Sequence, residues 1–128
     1  MIDRILYVEI PVKNIPFSLN WYSEVLQFQK VWHSMEEKLA QLNLPSGQML
    51  FLSETSDNTN ANFSKNGEEH SVIGFQTKDI NELYNTLKKS GATVEPLVID
   101  PEGYRFLHFY DPDGNRLTAL CDSIGDEI

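Results

Sequence analysis

The amino-acid sequence predicts an α+β fold built of two βαβββ modules that form an open, cavity-enclosing, barrel-like sheet. Three observations predict it: strand-like and helix-like patterns occur twice in the same order, turn signals separate the strands, and the two copies align in register. Each copy contains one amphipathic helix. That helix would cover one face of its sheet and leave the opposite face to line a cavity.

The first module is predicted over about residues 4–53. Its first strand, RILYVEIPV, alternates apolar and polar residues as a half-buried strand does. A helix follows in NIPFSLNWYSEVLQ, where Asn14 is a good N-cap and Pro16 falls in the first turn, where its missing N–H is harmless. Three further strands are then predicted in FQKVWHS, KLAQLNL and QMLFLS.

The second module is predicted over about residues 70–122 and repeats this order. The strand HSVIGFQT precedes the helix DINELYNTLKKSG, which has Asp79 as its N-cap and Gly91 at its end. Strands are predicted in ATVEPLVI, YRFLHFY and NRLTALC, and the turn DPDGN between the last two is a strong hairpin signal. The polar segment 54–69 is predicted to be a loop joining the modules, and a mobile lid or hinge, within a single domain of residues 1–128.

Length and charge limit the possible functions. The chain has 128 residues, which suits one domain, and its 41% hydrophobic content is enough for a packed core. With 10 Lys and Arg against 19 Asp and Glu, the net charge is −9. This charge argues against nucleic acid as a partner, and it would attract cationic ligands.

Location and redox chemistry are also suggested by the sequence. It contains no 18-residue apolar run and no basic, apolar leader pattern, so a cytoplasmic protein without membrane contact is expected. The single cysteine, Cys121, lies on an apolar strand, and we interpret it as a buried structural thiol.

The combination of YVEIPVKN, SLNWYSEVLQF, VIGFQTKDINELYNTLKKSGATV and DPDGNRLTAL resembles the vicinal oxygen chelate superfamily, over about residues 4–121. That superfamily includes glyoxalase I, extradiol dioxygenases, fosfomycin-resistance enzymes and bleomycin-resistance proteins. The resemblance implies one divalent metal bound inside the barrel by positions on the first and last strands of each module. In this sequence those four positions correspond to Tyr7, Phe51, Val72 and Thr118.

None of these four side chains is a good metal ligand, because N and O donors from His and carboxylates make such sites. We therefore expect no cofactor. The alternative is a divalent metal between Glu9 and His70, which period-two alternation places on the same strand faces as Tyr7 and Val72.

Strand alternation also predicts the residues that face the cavity. The predicted ligand-binding residues are Tyr7, Glu9, Trp32, Met49, Phe51, His70, Val72, Arg116 and Thr118. Trp32 is equally compatible with core packing and with a pocket wall. A carboxylate in an apolar cavity costs several kcal/mol unless it is paired or solvated, so Glu9 would pair with Arg116, bind a cation or act as a base.

Three functions remain open. The first is a metal-independent binding protein for a cationic or aromatic, antibiotic-like small molecule, as in the bleomycin-resistance branch that the chain resembles; family members usually form homodimers, and a homodimer is expected. The second is a small-molecule enzyme of lyase, isomerase or dioxygenase-like type, in which Glu9 or His70 acts as the base, with or without a divalent metal. The third is a scaffold for dimerisation or regulation, whose cavity its own side chains fill. The sequence favours binding over catalysis, since replaced ligands remove metal chemistry and leave a cleft.

Overall fold

The computed structural model describes residues 1–121. The chain divides into two compact units, Met1–Asn60 and a second that begins at Ala61, and this boundary falls inside the predicted joining segment 54–69. Asp122, predicted as the last residue of the second module, lies outside the described residues.

The first unit is a four-stranded sheet with one helix. Its elements are β1 (Tyr7–Val12), α1 (Ile15–Glu24), β2 (Gln29–Ser34), β3 (Leu39–Asn43) and β4 (Met49–Glu54). The strand order is β1-β4-β3-β2, in which β1 runs parallel to β4 and the other pairs are antiparallel. This is the βαβββ arrangement that the sequence predicts.

Helix α1 begins as predicted. The Asn14 side chain accepts a hydrogen bond from the Phe17 amide at 2.9 Å, which satisfies one of the amides that the first helical turn leaves without a partner. The helix ends at Glu24, three residues before the end of the predicted segment. Its apolar stripe packs on one sheet face to form the core: Ile10, Val12, Ile15, Leu19, Tyr22, Ala40, Leu42, Leu50 and Leu52 are all at most 9% exposed.

The second unit repeats the arrangement after a short hairpin. The elements are β5 (Phe63–Lys65), β6 (Glu68–His70), β7 (Gly74–Gln76), α2 (Ile80–Ser90), β8 (Val98–Ile99), β9 (Arg105–Tyr110) and β10 (Arg116–Cys121). Strands β7-β10-β9-β8 form the four-stranded sheet, with β7 parallel to β10. The predicted α+β class and the two βαβββ modules are thus confirmed. Among the described residues the strands do not close into a barrel.

Helix α2 has the predicted ends. Asp79 accepts a hydrogen bond from the Glu82 amide at 3.0 Å, and Gly91 closes the helix with φ of 80°, a conformation that costs glycine nothing. The core of this unit contains Ile80, Leu87, Leu107, Phe109, Leu117, Ala119 and Cys121, so the prediction that the thiol is buried is confirmed.

The joining segment is the main correction. Residues 54–69 were predicted to lack regular structure, but β5 pairs with β6 in an antiparallel hairpin. Asn66 and Gly67 form its turn with φ of 54° and 78°, and an Asn-Gly pair is the residue pair that such two-residue turns favour. The hairpin ends at His70, and β7 begins only at Gly74, so the predicted strand HSVIGFQT is divided between two elements.

Two asparagines attach the start of this hairpin to the β9–β10 turn, and we call this pair the clamp. Asn115 Oδ1 accepts from the Ala61 amide at 2.8 Å. Asn62 donates to the Gly114 carbonyl at 3.0 Å and accepts from the Arg116 amide at 2.7 Å. These three bonds fix the start of the hairpin to the β9–β10 turn within the second unit.

None of the helices in the described part of the chain is long and apolar enough to cross a membrane.

Candidate functional site

Three aromatic rings lie together on the sheet face of the first unit that α1 does not cover. The rings of Tyr7 and Phe51 are stacked, with centroids 4.6 Å apart and planes 25° apart. The Trp32 ring lies 6.1 Å from Phe51 at a tilt of 57°. Tyr7 is 45% exposed and Trp32 is 39% exposed, which is unusual for side chains this large. We call these three residues the aromatic patch.

The strand register explains why the rings meet. Glu9 on β1 pairs with Phe51 on β4, Phe51 pairs with Gln41 on β3, and Gln41 pairs with Trp32 on β2. Cross-strand partners point to the same face of a sheet, so four strands each place one side chain in a row. The prediction that Tyr7, Glu9, Met49 and Phe51 share a face is consistent with this register.

Trp32 is held in position by a buried polar side chain. Its indole N–H donates to Gln41 Oε1 at 2.8 Å, and Gln41 Nε2 donates to Asn43 Oδ1 at 2.9 Å. Gln41 is only 9% exposed. Since a buried amide is costly unless its hydrogen bonds are made, this chain fixes the ring orientation and leaves the ring face partly open. Trp32 is therefore a surface element rather than core packing.

Glu9 lies at the edge of the aromatic patch, opposite Phe51 in the β1–β4 register, and it is exposed. The expected desolvation cost of a buried carboxylate therefore does not apply. Within the second unit, Arg116 forms an ion pair with Glu95, at 3.2 Å. A solvated carboxylate beside open aromatic faces favours a cation at this place.

A cleft of about 330 Å³ adjoins the patch. It is lined by residues 4–6 before β1, residues 46–48 of the β3–β4 turn, and Met49, the cross-strand partner of Tyr7. None of the three rings lines this cleft, so the cleft and the aromatic patch are separate features of the first unit.

The second unit carries a different arrangement on the face of its sheet that holds Thr118. His108 Nδ1 lies 2.8 Å from Thr118 Oγ1, and Thr118 Oγ1 donates to Ser71 Oγ at 2.8 Å. Arg116 donates to Ser71 Oγ at 3.4 Å. Its other terminal nitrogen donates to Glu95 Oε1 at 3.2 Å. Polar groups that meet in this way satisfy one another and hold fixed positions.

His108 is the group in this network whose acid–base behaviour is changed. Burial lowers the pKa of its imidazole below the ordinary 6.5, and the positive charge of Arg116 lowers it further, while Glu95 opposes both. His70 acts weakly in the same direction as Arg116. The neutral imidazole is therefore favoured.

His70 and Val72 are placed differently from the prediction. His70 is the last residue of β6, where its ring stacks on Phe63 with centroids 5.3 Å apart. Val72 lies between β6 and β7 and is 64% exposed. Strand β7, the first strand of the four-stranded sheet in this unit, therefore contains neither His70 nor Val72.

The four positions that correspond to metal ligands in the resembling enzymes do not fit a metal. Tyr7 and Phe51 are stacked on each other, Val72 is aliphatic, and the Thr118 hydroxyl is bonded to His108 and Ser71. Within residues 1–121, His, Cys, Asp and Glu side chains form no group of three or more that could hold a metal ion. Divalent metals in proteins need such donors, and these four positions do not supply them.

Sequence reasoning missed Ser71, Glu95, His108 and Tyr110 as site residues. The signal that could have found His108 is the DPDGN turn, because a hairpin centred at Asp113 pairs Arg116 with Tyr110 and Thr118 with His108. Ser71 and Glu95 fall inside the predicted strands HSVIGFQT and ATVEPLVI, but in the structure both lie outside the strands, so alternation does not give the direction of their side chains.

Similarity to solved structures agrees with this fold. A glyoxalase/bleomycin resistance protein/dioxygenase domain from Frankia sp. EAN1pec superposes with a TM-score of 0.77 at 23% identity, covering 99% of this chain and 97% of that one. The fosfomycin resistance protein FosX from Listeria monocytogenes has a TM-score of 0.78 at 16% identity, with both chains covered completely. Lactoylglutathione lyase from Agrobacterium tumefaciens has a TM-score of 0.72 at 16% identity, covering 96% of each chain.

A comparison with curated protein sequences gave no significant match. The family model for the glyoxalase/bleomycin resistance protein/dioxygenase superfamily, however, matches residues 4–118, which is most of the chain. The chain therefore belongs to the glyoxalase/bleomycin resistance protein/dioxygenase superfamily.

Proposed function

We propose that this protein binds a flat, cationic aromatic small molecule on the aromatic patch of its first unit, without a metal. The observation that carries the proposal is the stacked Tyr7–Phe51 pair beside Trp32, open to solvent and flanked by the Glu9 carboxylate. Aromatic faces attract both flat rings and cations, and together they favour a ligand that is both.

Charge supports the same ligand class. The chain carries a net charge of −9, so it attracts cations over a distance and repels anions. Glu9 supplies a local negative charge next to Phe51. A neutral flat molecule would gain the stacking alone, so the cation is the preferred ligand.

Metal independence is supported by the side chains that occupy the family's ligand positions. Two of them, Tyr7 and Phe51, form the patch itself. Crystals of the Listeria FosX have been obtained with Mn(II) and sulfate, so that relative has a metal-bound form. We propose that in this chain the aromatic rings replace the metal as the binding device.

The experiment uses isothermal titration calorimetry with 9-aminoacridine as the cationic probe and acridine as its neutral counterpart, both in the presence of EDTA. We expect 9-aminoacridine to bind more tightly than acridine. Phe51→Ala should weaken binding by about tenfold or more, because a stacked ring contributes about 1–3 kcal/mol and 1.4 kcal/mol is a factor of ten. The matched control is Phe17→Ala, since Phe17 is 63% exposed on α1 away from the patch.

Glu9→Gln separates charge from stacking. It should weaken 9-aminoacridine binding severalfold at low salt and leave acridine binding unchanged, with the difference shrinking as salt screens the exposed charge. If both probes bind equally tightly, the proposal that the ligand is a cation is wrong. If the Phe51→Ala variant binds as tightly as the parent chain, the aromatic patch is not the binding site.

A small-molecule enzyme that uses Glu9 or His70 as its base stays a prediction, as does the homodimer. Glu9 is exposed, and His70 stacks on Phe63 rather than on the sheet face. We rank binding above this alternative because, within residues 1–121, neither Glu9 nor His70 has a side-chain hydrogen bond to a second group that would orient it as a general base.

A further inference from the structure

The second unit contains a continuous chain of hydrogen bonds that ends at a serine. His108 on β9 lies 2.8 Å from Thr118 on β10, and Thr118 lies 2.8 Å from Ser71 Oγ, just after β6. We call these three residues the relay. All three are partly exposed, so both ends of the chain are near solvent. The binding proposal for the first unit uses none of them.

Charged groups around the relay favour negative charge at Ser71. Arg116 donates to Ser71 Oγ at 3.4 Å, and Glu95 holds that guanidinium with a 3.2 Å ion pair. Tyr110 donates to the other Glu95 oxygen at 3.1 Å. A fixed cation beside a hydroxyl stabilises its ionised form and any oxyanion that develops next to it.

The other end of the relay is a histidine whose neutral form is favoured, and only the neutral form has a free ring nitrogen that can accept a proton. Burial, and then Arg116, keep the pKa of His108 low, so the imidazole is neutral near pH 7. Hydroxyl hydrogens rotate, so Thr118 can accept from Ser71 and donate to His108 as readily as it donates to Ser71. In the tautomer with hydrogen on Nε2, His108 Nδ1 is the acceptor at the end of this chain.

The position of Ser71 is held by the hairpin that precedes it. The clamp fixes the start of that hairpin to the β9–β10 turn, and the Ser71 contacts with Thr118 and Arg116 fix its end to β10. Nucleophiles need this fixed geometry relative to their base.

We propose that Ser71 is a nucleophile, activated through Thr118 and His108, that reacts with small acyl or phosphoryl esters. Ser71 Oγ forms a bond to the carbonyl carbon or the phosphorus, and the leaving oxygen departs with the electron pair of the bond that breaks. The Ser71 proton passes to Thr118, and the Thr118 proton passes to His108 Nδ1. Water then bonds to the carbonyl carbon or the phosphorus, and the bond to Ser71 Oγ breaks with its electron pair on Ser71. Ser71 takes back a proton from His108 through Thr118, and the proton that water loses passes through solvent to the oxygen that left in the first step. No oxidant, reductant or metal is needed.

The test uses diisopropyl fluorophosphate on the whole protein, followed by peptide mass spectrometry. In this reaction Ser71 Oγ bonds to phosphorus, and fluoride leaves. We expect Ser71 to be labelled at least about a hundredfold faster than Ser46, an exposed serine in the β3–β4 turn, since general bases contribute about 10²–10⁴ in rate.

Variants show whether the relay causes the reactivity. His108→Gln and Thr118→Val should slow labelling of Ser71 about a hundredfold, and Thr118→Ser should keep it, because serine retains the bridging hydroxyl. Circular dichroism checks that each variant folds, and Thr118→Ser keeps the test valid if Thr118→Val does not. Ser71→Ala should leave 9-aminoacridine binding unchanged, so failure of the binding proposal and failure of this one are separate results.

Two results would overturn the nucleophile. One is labelling of Ser71 no faster than that of Ser46. The other is fast labelling that persists in both His108→Gln and Thr118→Val, because the reactivity would then not come from the relay.

Discussion

Replacing Asn115 with alanine removes the side chain that ties the start of the β5–β6 hairpin to the β9–β10 turn. Asn115 is fully buried, and its Oδ1 accepts from the Ala61 amide at 2.8 Å. Its Nδ2 donates to Asp111 Oδ2 at 2.8 Å, and Asp111 is only 5% exposed. The substitution therefore removes two short hydrogen bonds from a buried position.

The loss in stability can be estimated from these two bonds. A neutral hydrogen bond contributes about 1 kcal/mol, and one to a charged group contributes about 1.5–3 kcal/mol. The Asp111 carboxylate keeps its hydrogen bonds from the Asp113 and Asn115 backbone amides, at 2.8 and 2.9 Å. These bonds continue to offset most of the cost of burying the carboxylate. We expect Asn115→Ala to lower the free energy of unfolding by about 3 kcal/mol and the melting temperature by roughly 10 °C.

Urea unfolding, analysed with the same m-value for both proteins, measures the loss in the free energy of unfolding. Hydrogen exchange shows which part of the chain becomes less stable. The amides of the β5–β6 hairpin should exchange faster in Asn115→Ala, because the clamp loses one of its three bonds and only the two bonds of Asn62 remain. Asn58→Ala is the matched control in the same segment, since Asn58 is exposed, and it should change stability by less than about 0.5 kcal/mol. A loss below about 1 kcal/mol in Asn115→Ala, or unchanged exchange in the hairpin, would refute the clamp.

Three more predictions concern His108, Gly91 and Leu87. NMR titration should give His108 a pKa below 6.5, and Arg116→Met should raise it, because a repelling cation is lost while Glu95 remains. The folded state disfavours the protonated imidazole of His108. The contribution of His108 to the free energy of unfolding is therefore fully present above pH 6.5, the pKa in the unfolded chain. It is lost as the pH falls through the lower pKa of the folded state. Gly91→Ala should cost about 1 kcal/mol, because the φ of 80° at this helix end strains any residue with a Cβ, although nothing lies within 4 Å of that atom. Leu87→Ala should cost about 2–5 kcal/mol, because Leu87 is 0% exposed and its removal leaves a cavity.

Each of these has a contrary result. A His108 pKa at or above 6.5 would show that burial and Arg116 do not dominate its environment. A neutral Gly91→Ala would mean that the helix end adjusts its backbone, and a cost for Leu87→Ala below about 1 kcal/mol would mean that the core under α2 collapses around the gap.

Much of the fold could be predicted because its signals are local. Asn14, Asp79 and Gly91 mark helix ends through hydrogen bonds or a backbone angle that involve only neighbouring residues. Strand alternation gave the correct face for Phe51, since its cross-strand partners Glu9 and Gln41 follow from the same period.

The β5–β6 hairpin was missed for a physical reason. Its strands are three residues long and almost entirely exposed, so they carry no apolar alternation to detect. What holds the hairpin is the Asn66-Gly67 turn together with the distant partners Asn115 and Thr118. A pattern search cannot find partners that are about fifty residues away.

The polar network of the second unit was only partly predictable. Arg116 and Thr118 were placed on one face by alternation, and the hairpin register adds His108. Glu95 and Ser71 lie outside the strands, so their contacts depend on tertiary structure alone. The ion pair between Arg116 and Glu95 could therefore not be predicted from strand alternation.

The central claim is that the aromatic patch binds a flat cation without a metal. The most direct test is the dissociation constant of 9-aminoacridine, measured by calorimetry on the purified, untagged protein first with EDTA and then after titration with Zn, Ni, Mn or Fe. Our account predicts the same constant, within about twofold, in every condition, because the rings of Tyr7, Trp32 and Phe51 supply the contacts. Binding that appears only after a metal is added would contradict it.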